Sequence, residues 1–296
     1  MNDNFKSGFV AIVGRPNTGK STLVNSLMKQ KVVITSDKPQ TTRHKIRCIL
    51  NRPDAQIIFI DTPGLHKPHD LLGERLNEKV RSALKEVDVV IFVVDASQVI
   101  GRGDAFIAKE LNKLNAPVIL VLNKTDKINH ADLSAQEEIA RDLGQFKKII
   151  SISALNGDNL NVLIDETVEL LPKGPKYYPD DTITDQPEKV IIAEFVREKV
   201  LELTREEVPY SVVVKVESIS KRTDKDIVDV EAYIFVEKDS QKGIIIGKGG
   251  KMLKEIGQRA REEIENLLGS QIFLSLWVKV KKKWRSREDI IREMGY

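Results

Sequence analysis

The sequence predicts an α/β fold in two domains, with a doubly wound, mostly parallel sheet first and a smaller α+β domain after it. In the first 172 residues, short apolar runs alternate with amphipathic stretches, which is the pattern of buried strands separated by helices. After residue 187, two strands with alternating apolar and polar residues lie between helical stretches. These two patterns set the fold class before any motif is considered.

The strands of the first domain are its apolar runs. Between them, segments 71–86 and 104–115 carry apolar residues at helical spacing. Ligands of such sheets bind at the carboxyl ends of the strands, so polar motifs there are candidate site residues. The runs are GFVAIVG, QIIFIDTPG, DVVIFVVDA, PVILVLNK and KKIISISA.

A proline-rich segment, LPKGPKYYPDDTITDQP, separates the two patterns. Its prolines leave little that could continue a helix or a central strand. We predict a first domain at 1–173, a linker at 174–187, and a second domain at 188–296 that ends in a basic tail. The second domain should contain a helix at 188–207, the strands YSVVVKVESI and VDVEAYIFVE, a helix at 251–268 and the strand IFLSLWVKV.

Composition argues against a membrane-spanning or disulfide-bonded protein. No apolar run approaches the ~20 residues that a bilayer span needs. The start, MNDNFKSGF, lacks the features of a secretory signal, and the single cysteine, Cys48, cannot form an internal disulfide, so we expect a cytoplasmic protein. The total of 47 basic against 44 acidic residues is nearly balanced, but basic residues prevail from Lys242 onward, which predicts a positive field there.

Residues 14–21, GRPNTGKS, fit the pattern GxxxxGK[ST] directly after a predicted strand and before a predicted helix. Small residues let successive backbone N–H groups surround phosphate oxygens, and the helix N-terminus adds partial positive charge. Lys20 would neutralise the β and γ phosphates, and the Ser21 hydroxyl would bind Mg²⁺. The predicted phosphate-binding residues are Gly14, Arg15, Pro16, Asn17, Thr18, Gly19, Lys20, Ser21 and Thr22.

The motif DTPG ends the strand QIIFI. Asp61 is expected to bind Mg²⁺ directly or through water, and the Gly64 N–H to contact the γ-phosphate. Alone, the motif would favour a turn capped by aspartate, but it does not stand alone, and the preceding phosphate loop favours the metal-side interpretation. The nucleotide-side residues of this segment are Asp61, Thr62, Pro63, Gly64 and Leu65.

Two further motifs, NKTD and SAL, end later strands and predict guanine selection. The Asp126 carboxylate can accept hydrogen bonds from guanine N1–H and the exocyclic amine, whereas adenine would leave it unpaired. Lys124 would lie along the base plane, and SAL would offer a backbone N–H to O6, so we expect GTP rather than ATP. The residues are Asn123, Lys124, Thr125, Asp126, Ser153, Ala154 and Leu155.

The polar loop QTTRH supplies a candidate switch threonine. We favour Thr42 over Thr41 as the residue that completes the Mg²⁺ shell while γ-phosphate is present and withdraws after hydrolysis. The alternative is a surface loop with a serine/threonine turn. The predicted magnesium ligands are Ser21, Thr42 and Asp61, and the predicted catalytic residues are Lys20, Thr42 and Gly64.

The segment GIIIGKGG precedes the helix predicted at 251–268. Its glycines can bring the backbone close to a nucleic-acid strand, which is the GxxG device with which a KH domain clamps about four nucleotides. The order helix, two strands, two helices, strand is that of a type II KH domain. A glycine-rich turn in a protein-interaction module is the alternative. The predicted RNA-binding residues are Ile244, Ile246, Gly247, Lys248, Gly249, Gly250, Lys251, Lys281, Lys283 and Arg285.

The motifs GRPNTGKS, TTR, DTPG, NKTD and SAL resemble the translation-factor-related GTPases, and LTREEVPYS and IIIGKGGKMLKEIG resemble the Era family within them. The resemblance implies Mg²⁺-dependent hydrolysis of GTP to GDP and phosphate. It also implies binding to the 3′ region of 16S ribosomal RNA and a part in 30S subunit assembly and rRNA maturation, and we expect a monomer. Peripheral association with the inner face of the cell membrane is implied as well, although the sequence shows no amphipathic anchor.

One departure from Ras-type switches bears on the mechanism, because Leu65 stands where those proteins have a water-orienting glutamine. Hydrolysis would then depend on Lys20, Mg²⁺ and backbone donors, with slow intrinsic turnover. Asn17 matches the residue that coordinates potassium in related GTPases, so a K⁺ site is a hypothesis, with a turn-stabilising asparagine as the alternative. A metabolic P-loop kinase remains a rival, and NKTD argues against it because a kinase does not need guanine selection.

Overall fold

A computed structural model describes residues 4–38, 40–65, 68, 70–224 and 226–296. The chain divides into two compact units, each of which is described by itself. Unit 1 comprises Met1–Val33, Thr42–Lys67 and Arg75–Asp185, and unit 2 comprises Ile34–Thr41, Pro68–Glu74 and Gln186–Tyr296.

Within its described residues, unit 1 is built on a six-stranded sheet with the order β2-β3-β1-β4-β5-β6. Every pairing is parallel except that of β2 with β3, which confirms the mostly parallel sheet. The strands are β1 (Lys6–Val13), β2 (Ile46–Asn51), β3 (Ala55–Asp61), β4 (Val89–Asp95), β5 (Val118–Asn123) and β6 (Lys148–Ser151). The helices between them are α1 (Lys20–Met28), α2 (Leu71–Leu84), α3 (Arg102–Leu111), α4 (His130–Arg141) and α5 (Leu160–Leu170).

Both faces of this sheet are buried, as continuous apolar strands require. Val10 and Ile12 of β1 belong to one hydrophobic core with α1 and α5, whereas Ala11 and Val13 belong to a second core with α2 and α3. Because β1, β3, β4, β5 and β6 run parallel, their carboxyl ends meet at one edge. The register pairs Ile12 with Asp61 at that edge.

Within its described residues, unit 2 has a three-stranded sheet with the order β7-β8-β9. The β7–β8 hairpin is antiparallel and β8–β9 is parallel. Apolar residues of α6 and α9 pack on one face, including Ile192, Val196, Ile256 and Ile264. In chain order the elements are α6 (Glu188–Leu203), α7 (Val208–Ser211), β7 (Val213–Lys221), β8 (Ile227–Val236), α8 (Asp239–Ile246), α9 (Lys251–Leu268), β9 (Gln271–Val280) and α10 (Glu288–Glu293).

The division into units differs from the predicted boundaries in two places. Segments 34–41 and 68–74, which lie in the predicted first domain, belong to unit 2. Most of the predicted linker belongs to unit 1, where the Ile49 N–H donates a 2.8 Å hydrogen bond to the Ile183 carbonyl. The proline-rich segment thus covers the outer edge of β2, which protects an edge strand. The boundaries at 173 and 187 stay a prediction.

Candidate functional site

The phosphate loop is shaped by two glycines whose positions admit no side chain. A Cβ atom on Gly14 would lie 2.3 Å from the Val93 carbonyl oxygen, and one on Gly19 would lie 2.3 Å from Asn123 Nδ2. Gly19 also has φ +93°, in the left-handed region that favours glycine. Helix α1 begins at Lys20, so its first backbone N–H groups face the loop. This geometry suits a phosphate group at a helix N-terminus.

Lys20 is buried beside the loop, with 6% of its surface exposed. Its Nζ donates a 2.7 Å hydrogen bond to the Arg15 carbonyl. Burial lowers the pKa of Lys20 to about 8, with Asp61 opposing the shift and Lys124 adding to it. A bound phosphate would raise the pKa of Lys20 again, because a nearby negative charge favours the protonated amine.

Three side-chain oxygens from separate segments meet beside Lys20. The Ser21 hydroxyl lies 3.0 Å from Thr42 Oγ1 and 3.0 Å from Asp61 Oδ2, and Thr42 Oγ1 lies 3.1 Å from the same carboxylate oxygen. Two hydroxyls and a carboxylate are the oxygen ligands that Mg²⁺ prefers, so these residues fit the ion. Thr41, the other candidate, instead donates a 2.6 Å hydrogen bond to the Lys38 carbonyl.

The DTPG segment crosses directly over the phosphate loop. Thr62 Oγ1 donates a 2.7 Å hydrogen bond to the Ile12 carbonyl, and the Leu65 N–H donates a 3.3 Å bond to the Gly14 carbonyl. A Cβ atom on Gly64 would lie 2.9 Å from the Pro16 nitrogen, so this close crossing needs glycine. The Leu65 side chain is 5% exposed and packs in a hydrophobic core of unit 1.

Asn123 fastens the base-binding motif to the phosphate loop. Its Nδ2 donates a 2.9 Å hydrogen bond to the Thr18 carbonyl, and its Oδ1 accepts a 3.0 Å bond from the Ala154 N–H. In this arrangement the Ala154 N–H is engaged, so its use by guanine O6 would require an exchange of that bond. The adjacent Leu155 side chain is 72% exposed.

The carboxylate expected to read guanine is oriented by the SAL motif. Ser153, which is fully buried, donates a 2.6 Å hydrogen bond from its hydroxyl to Asp126 Oδ1. The Asn156 N–H donates to the same serine hydroxyl at 3.1 Å. Thr125, between Lys124 and Asp126, donates its N–H to the Ile152 carbonyl at 3.2 Å.

Sequence reasoning missed Asp95, the last residue of β4. Its Oδ2 lies 2.6 Å from Lys124 Nζ, which also donates a 2.7 Å bond to the Asn17 carbonyl. Asp95 is 4% exposed, so it holds the lysine with a buried charge. The position of Asp95 at the end of an apolar strand was the sequence signal that could have identified it. Of the other predicted contacts, Arg15 forms a 3.2 Å ion pair with Asp104.

The GKGG segment of unit 2 has the backbone of a glycine-dependent turn. Gly247, Gly249 and Gly250 have φ angles of 70°, 62° and 78°, all in the left-handed region. A Cβ atom on Gly247 would lie 2.6 Å from the Cβ of Met252, so this glycine permits a close backbone approach. Lys248 is exposed, and α9 begins at Lys251.

A groove of about 510 Å³ runs from this turn between α9 and β9. The two elements approach closely at Gly257, where a Cβ atom would lie 3.4 Å from the Leu276 side chain. The prediction named only Gly250 of its lining, because strand and helix faces from distant segments build the rest. The lining residues are Gly250, Leu253, Lys254, Gly257, Gln258, Arg261, Phe273, Leu274 and Leu276.

The three isoleucines before the turn differ in burial. Ile245 is fully buried, Ile246 is half-buried against the core, and Ile244 is 47% exposed. Trp284 is a core residue whose Nε1 donates a 2.7 Å bond to the Ser211 carbonyl. Trp277 is 42% exposed.

Two of the predicted basic RNA contacts lie beyond the end of β9 in ion pairs within unit 2. Arg285 pairs with Glu237 at 2.8 Å and with Asp70 at 3.4 Å. Lys281 pairs with Glu293 at 2.5 Å. Lys283 is exposed and has φ 53°. Among the described residues, no helix has the length and apolar character to cross a membrane.

Comparison with known proteins identifies both units. A family model for a 50S ribosome-binding GTPase matches residues 9–124, and a KH-domain model matches residues 207–285. GTPase Era of Alkaliphilus oremlandii is 53% identical over 292 residues, covering 99% of both chains. The chain belongs to the Era family of GTPases. Era of Caldanaerobacter subterraneus subsp. tengcongensis is 51% identical, covering 99% of this chain and 98% of its own.

Solved Era structures have the same fold. Era in complex with MgGDPNP and nucleotides 1506–1542 of 16S ribosomal RNA superposes with TM-score 0.95 at 44% identity, over 99% of both chains. A variant of Aquifex aeolicus Era bound to GDP and tetrafluoroaluminate gives TM-score 0.95 at 43% identity, again over 99% of both chains. The predicted fold, GTPase activity and KH domain are confirmed by these matches. The Mg²⁺ of the first complex agrees with the oxygen ligand set found here.

Proposed function

We propose that this Era family member is a GTP-dependent switch that binds the single-stranded 3′ region of 16S ribosomal RNA and acts in 30S subunit assembly and rRNA maturation. One observation carries the proposal. The same chain contains a set of guanine-nucleotide motifs at the strand ends of unit 1 and, in unit 2, a GKGG turn that leads into a groove between α9 and β9. The related Era structure with MgGDPNP and a 16S rRNA segment supports it across 99% of this chain.

Guanine selection rests on Asp126, whose carboxylate is oriented by Ser153 at 2.6 Å. One oxygen is fixed by the serine, so the carboxylate faces the base in one orientation and accepts from N1–H and the exocyclic amine. Lys124, anchored by Asp95, lies along the base plane. An adenine base would leave the carboxylate without donors, a penalty that suits strong base selection.

Hydrolysis uses the cluster of Ser21, Thr42 and Asp61, which would hold Mg²⁺. The ion, when bound, supplies charge stabilisation at the γ-phosphate. Lys20 neutralises phosphate charge, and the Gly64 N–H donates to the γ-phosphate. Because the Leu65 side chain packs in the core, no side chain at that position orients water, and slow intrinsic turnover follows.

A potassium ion is the finer part of this proposal. Asn17 has φ 65° and lies in the phosphate loop, where a monovalent cation could add positive charge beside the β and γ phosphates. The cation would partly replace the contribution that a water-orienting glutamine makes in Ras-type switches.

RNA binding uses the GKGG turn and the groove. Lys248 and Lys251 meet backbone phosphates, while the glycines permit close approach of the strand. Ile246 and the apolar groove residues, such as Leu253 and Phe273, contact bases. Lys283 adds positive charge beyond β9, whereas Lys281 is paired with Glu293 and Arg285 with Glu237 and Asp70.

The same proposal covers location and assembly state. The protein acts as a monomer in the cytoplasm, where small-subunit precursors are found. Any contact with the inner face of the membrane would be peripheral and electrostatic, through basic residues of unit 2.

Crosslinking to small ribosomal subunits, with GDP or with a non-hydrolysable GTP analogue, tests the proposal. We expect crosslinks to the 3′ region of 16S rRNA that depend on the nucleotide. The double substitution Lys248→Asp and Gly249→Asp should abolish them while GDP affinity is kept. Crosslinks that persist in this variant would favour a protein-interaction module with the GxxG segment as a turn.

A further inference from the structure

The segment that precedes Thr42 is held at both ends by two neighbouring residues of α6. The Thr35 N–H donates a 2.7 Å hydrogen bond to Glu198 Oε1. At the other end, Arg197 Nη2 donates to the Thr41 carbonyl. These residues all belong to unit 2, and Ile34, just before the segment, is 2% exposed within the hydrophobic core of that unit.

Both α6 side chains are charged and fully buried. Arg197 is braced by Glu194, with Nε–Oε1 at 2.9 Å and Nη2–Oε2 at 2.5 Å, and Glu198 lies 3.1 Å from Lys199 Nζ. A buried charge that loses a hydrogen-bond partner is strongly destabilising. Release of Thr35 or Thr41 would remove such a partner, so α6 favours the positions in which these two residues are held.

We infer that Arg197 and Glu198 are positioning residues for GTP hydrolysis. Thr42 follows Thr41 directly, so fixing the Thr41 carbonyl fixes the backbone from which the Thr42 hydroxyl reaches Ser21 and Asp61. The inference rests on the proposed role of Thr42 at Mg²⁺.

The effect of losing the α6 contacts should depend on which nucleotide is bound. Thr42 is expected to act only while γ-phosphate is present, whereas GDP is held by the phosphate loop and the base motifs. Loss of the α6 contacts should therefore lower kcat and the affinity for Mg²⁺·GDPNP, and leave GDP affinity in place. A general loss of structure would lower all three together.

The test uses the full chain with Arg197→Gln and with Glu198→Leu, which is similar in size to the parent residue and removes the acceptor for the Thr35 N–H. Lys189→Gln is the matched control, because Lys189 is exposed on the same helix. We expect kcat to fall about tenfold or more in both test variants, since small misplacements of a catalytic group are costly. GDP affinity should stay within about twofold of the parent. Arg197→Lys, which keeps a donor and the charge, should recover part of kcat.

A Thr42→Ala background separates positioning from structural damage. If Arg197 acts through Thr42, adding Arg197→Gln to Thr42→Ala should cost nothing further in kcat. Equal losses in both backgrounds, or a parallel loss of GDP affinity, would overturn the inference. If Thr42→Ala alone left kcat unchanged, the proposed role of Thr42 would fail instead. Should Arg197→Gln not fold, Glu198→Leu carries the same comparison.

Discussion

The Ser153 hydroxyl donates a 2.6 Å hydrogen bond to Asp126 Oδ1 across a separation of 27 positions in the chain. The bond joins the segment after β6 to the segment after β5. These strands are neighbours in the sheet, so residues at their adjacent ends lie in one site. Ser153 is fully buried, which protects this bond from competition by water. In the proposed arrangement, base selection would therefore depend on a serine that contacts no base atom.

Substitution of either residue should change nucleotide choice. Asp126→Asn should shift preference from guanosine to xanthosine diphosphate, because the asparagine amide can donate to the extra carbonyl of xanthine. Ser153→Ala should weaken GDP binding about tenfold, since one buried hydrogen bond is lost. Isothermal calorimetry with both diphosphates measures this, with Ser134→Ala on the exposed face of α4 as the control. Full GDP selectivity in Asp126→Asn would show that the base contact is assigned wrongly.

Nucleotide affinity should fall as the pH rises above the pKa of Lys20. Burial lowers the pKa of Lys20 to about 8 in the nucleotide-free protein, and phosphate binding requires the charged form. Affinity for GDP should be flat below pH 8 and fall above it, because binding then requires proton uptake. The stability of the folded protein changes in the opposite direction. The cost of burying the charged Lys20 is fully present below pH 8 and is relieved as the pH rises toward 10.5, the ordinary pKa of lysine.

Calorimetry in buffers with different ionisation heats detects the proton uptake directly. Lys20→Arg keeps its charge at high pH, so any pH dependence that remains in that variant belongs to the nucleotide. Lys20→Ala should abolish measurable binding. Equal affinity and no proton uptake at pH 7 and pH 9 would contradict the Lys20 assignment.

Asp95→Asn should weaken GDP and GTP binding equally, by about tenfold, because Lys124 loses a buried charge partner. The substitution leaves the phosphate loop and the magnesium cluster intact, so kcat at saturating GTP should not change. Nucleotide titrations and single-turnover hydrolysis measure the two effects. Asp165→Asn, which removes an exposed ion pair with Arg52, is the control. A fall in kcat with unchanged affinity would place Asp95 in a different role.

A leucine at Gly257 should block RNA binding without affecting nucleotide binding. A Cβ atom there already contacts Leu276 at 3.4 Å, so a larger side chain fills the groove between α9 and β9. Gly243→Leu is the control, because a Cβ atom on Gly243 meets no atom within 4 Å. Fluorescence anisotropy with a single-stranded RNA of the 16S 3′ region should show a loss of RNA affinity for Gly257→Leu only.

RNA affinity of the parent should also fall steeply as the salt concentration rises, as phosphate contacts predict.

The GTPase rate should be higher in potassium than in sodium if Asn17 holds a monovalent cation. Asn17→Ala should remove the difference between the two salts while GDP affinity is kept. Steady-state phosphate release at matched ionic strength measures this. Equal rates of the parent in both salts would favour the turn-stabilising role of Asn17.

The sequence predicted the strand ends well because continuous apolar runs define buried parallel strands. Asp61 and Asn123 each end such a run, and parallel strands must bring their carboxyl ends to one edge. The glycine positions of the phosphate loop and the GKGG turn were also predictable, since close backbone approach admits few other residues. These features are encoded locally.

Other features were invisible because they depend on partners from distant segments. Arg285 looked like a phosphate contact within a basic run, but Glu237 and Asp70 hold it. Asp95 was missed because its importance comes from the Lys124 ammonium group beside it, and a one-dimensional pattern does not show that contact.

The sequence by itself determined the layers of the fold, the nucleotide motifs and their order at the strand ends, because periodicity and short motifs are properties of neighbouring residues. Only the tertiary structure decided that Ser153 orients Asp126, that Arg197 and Glu198 hold the ends of the segment before Thr42, and that α9 and β9 enclose a groove. Those relationships arise when packing brings together side chains that are far apart in the chain. The energy of a buried charge or hydrogen bond depends on the groups that surround it.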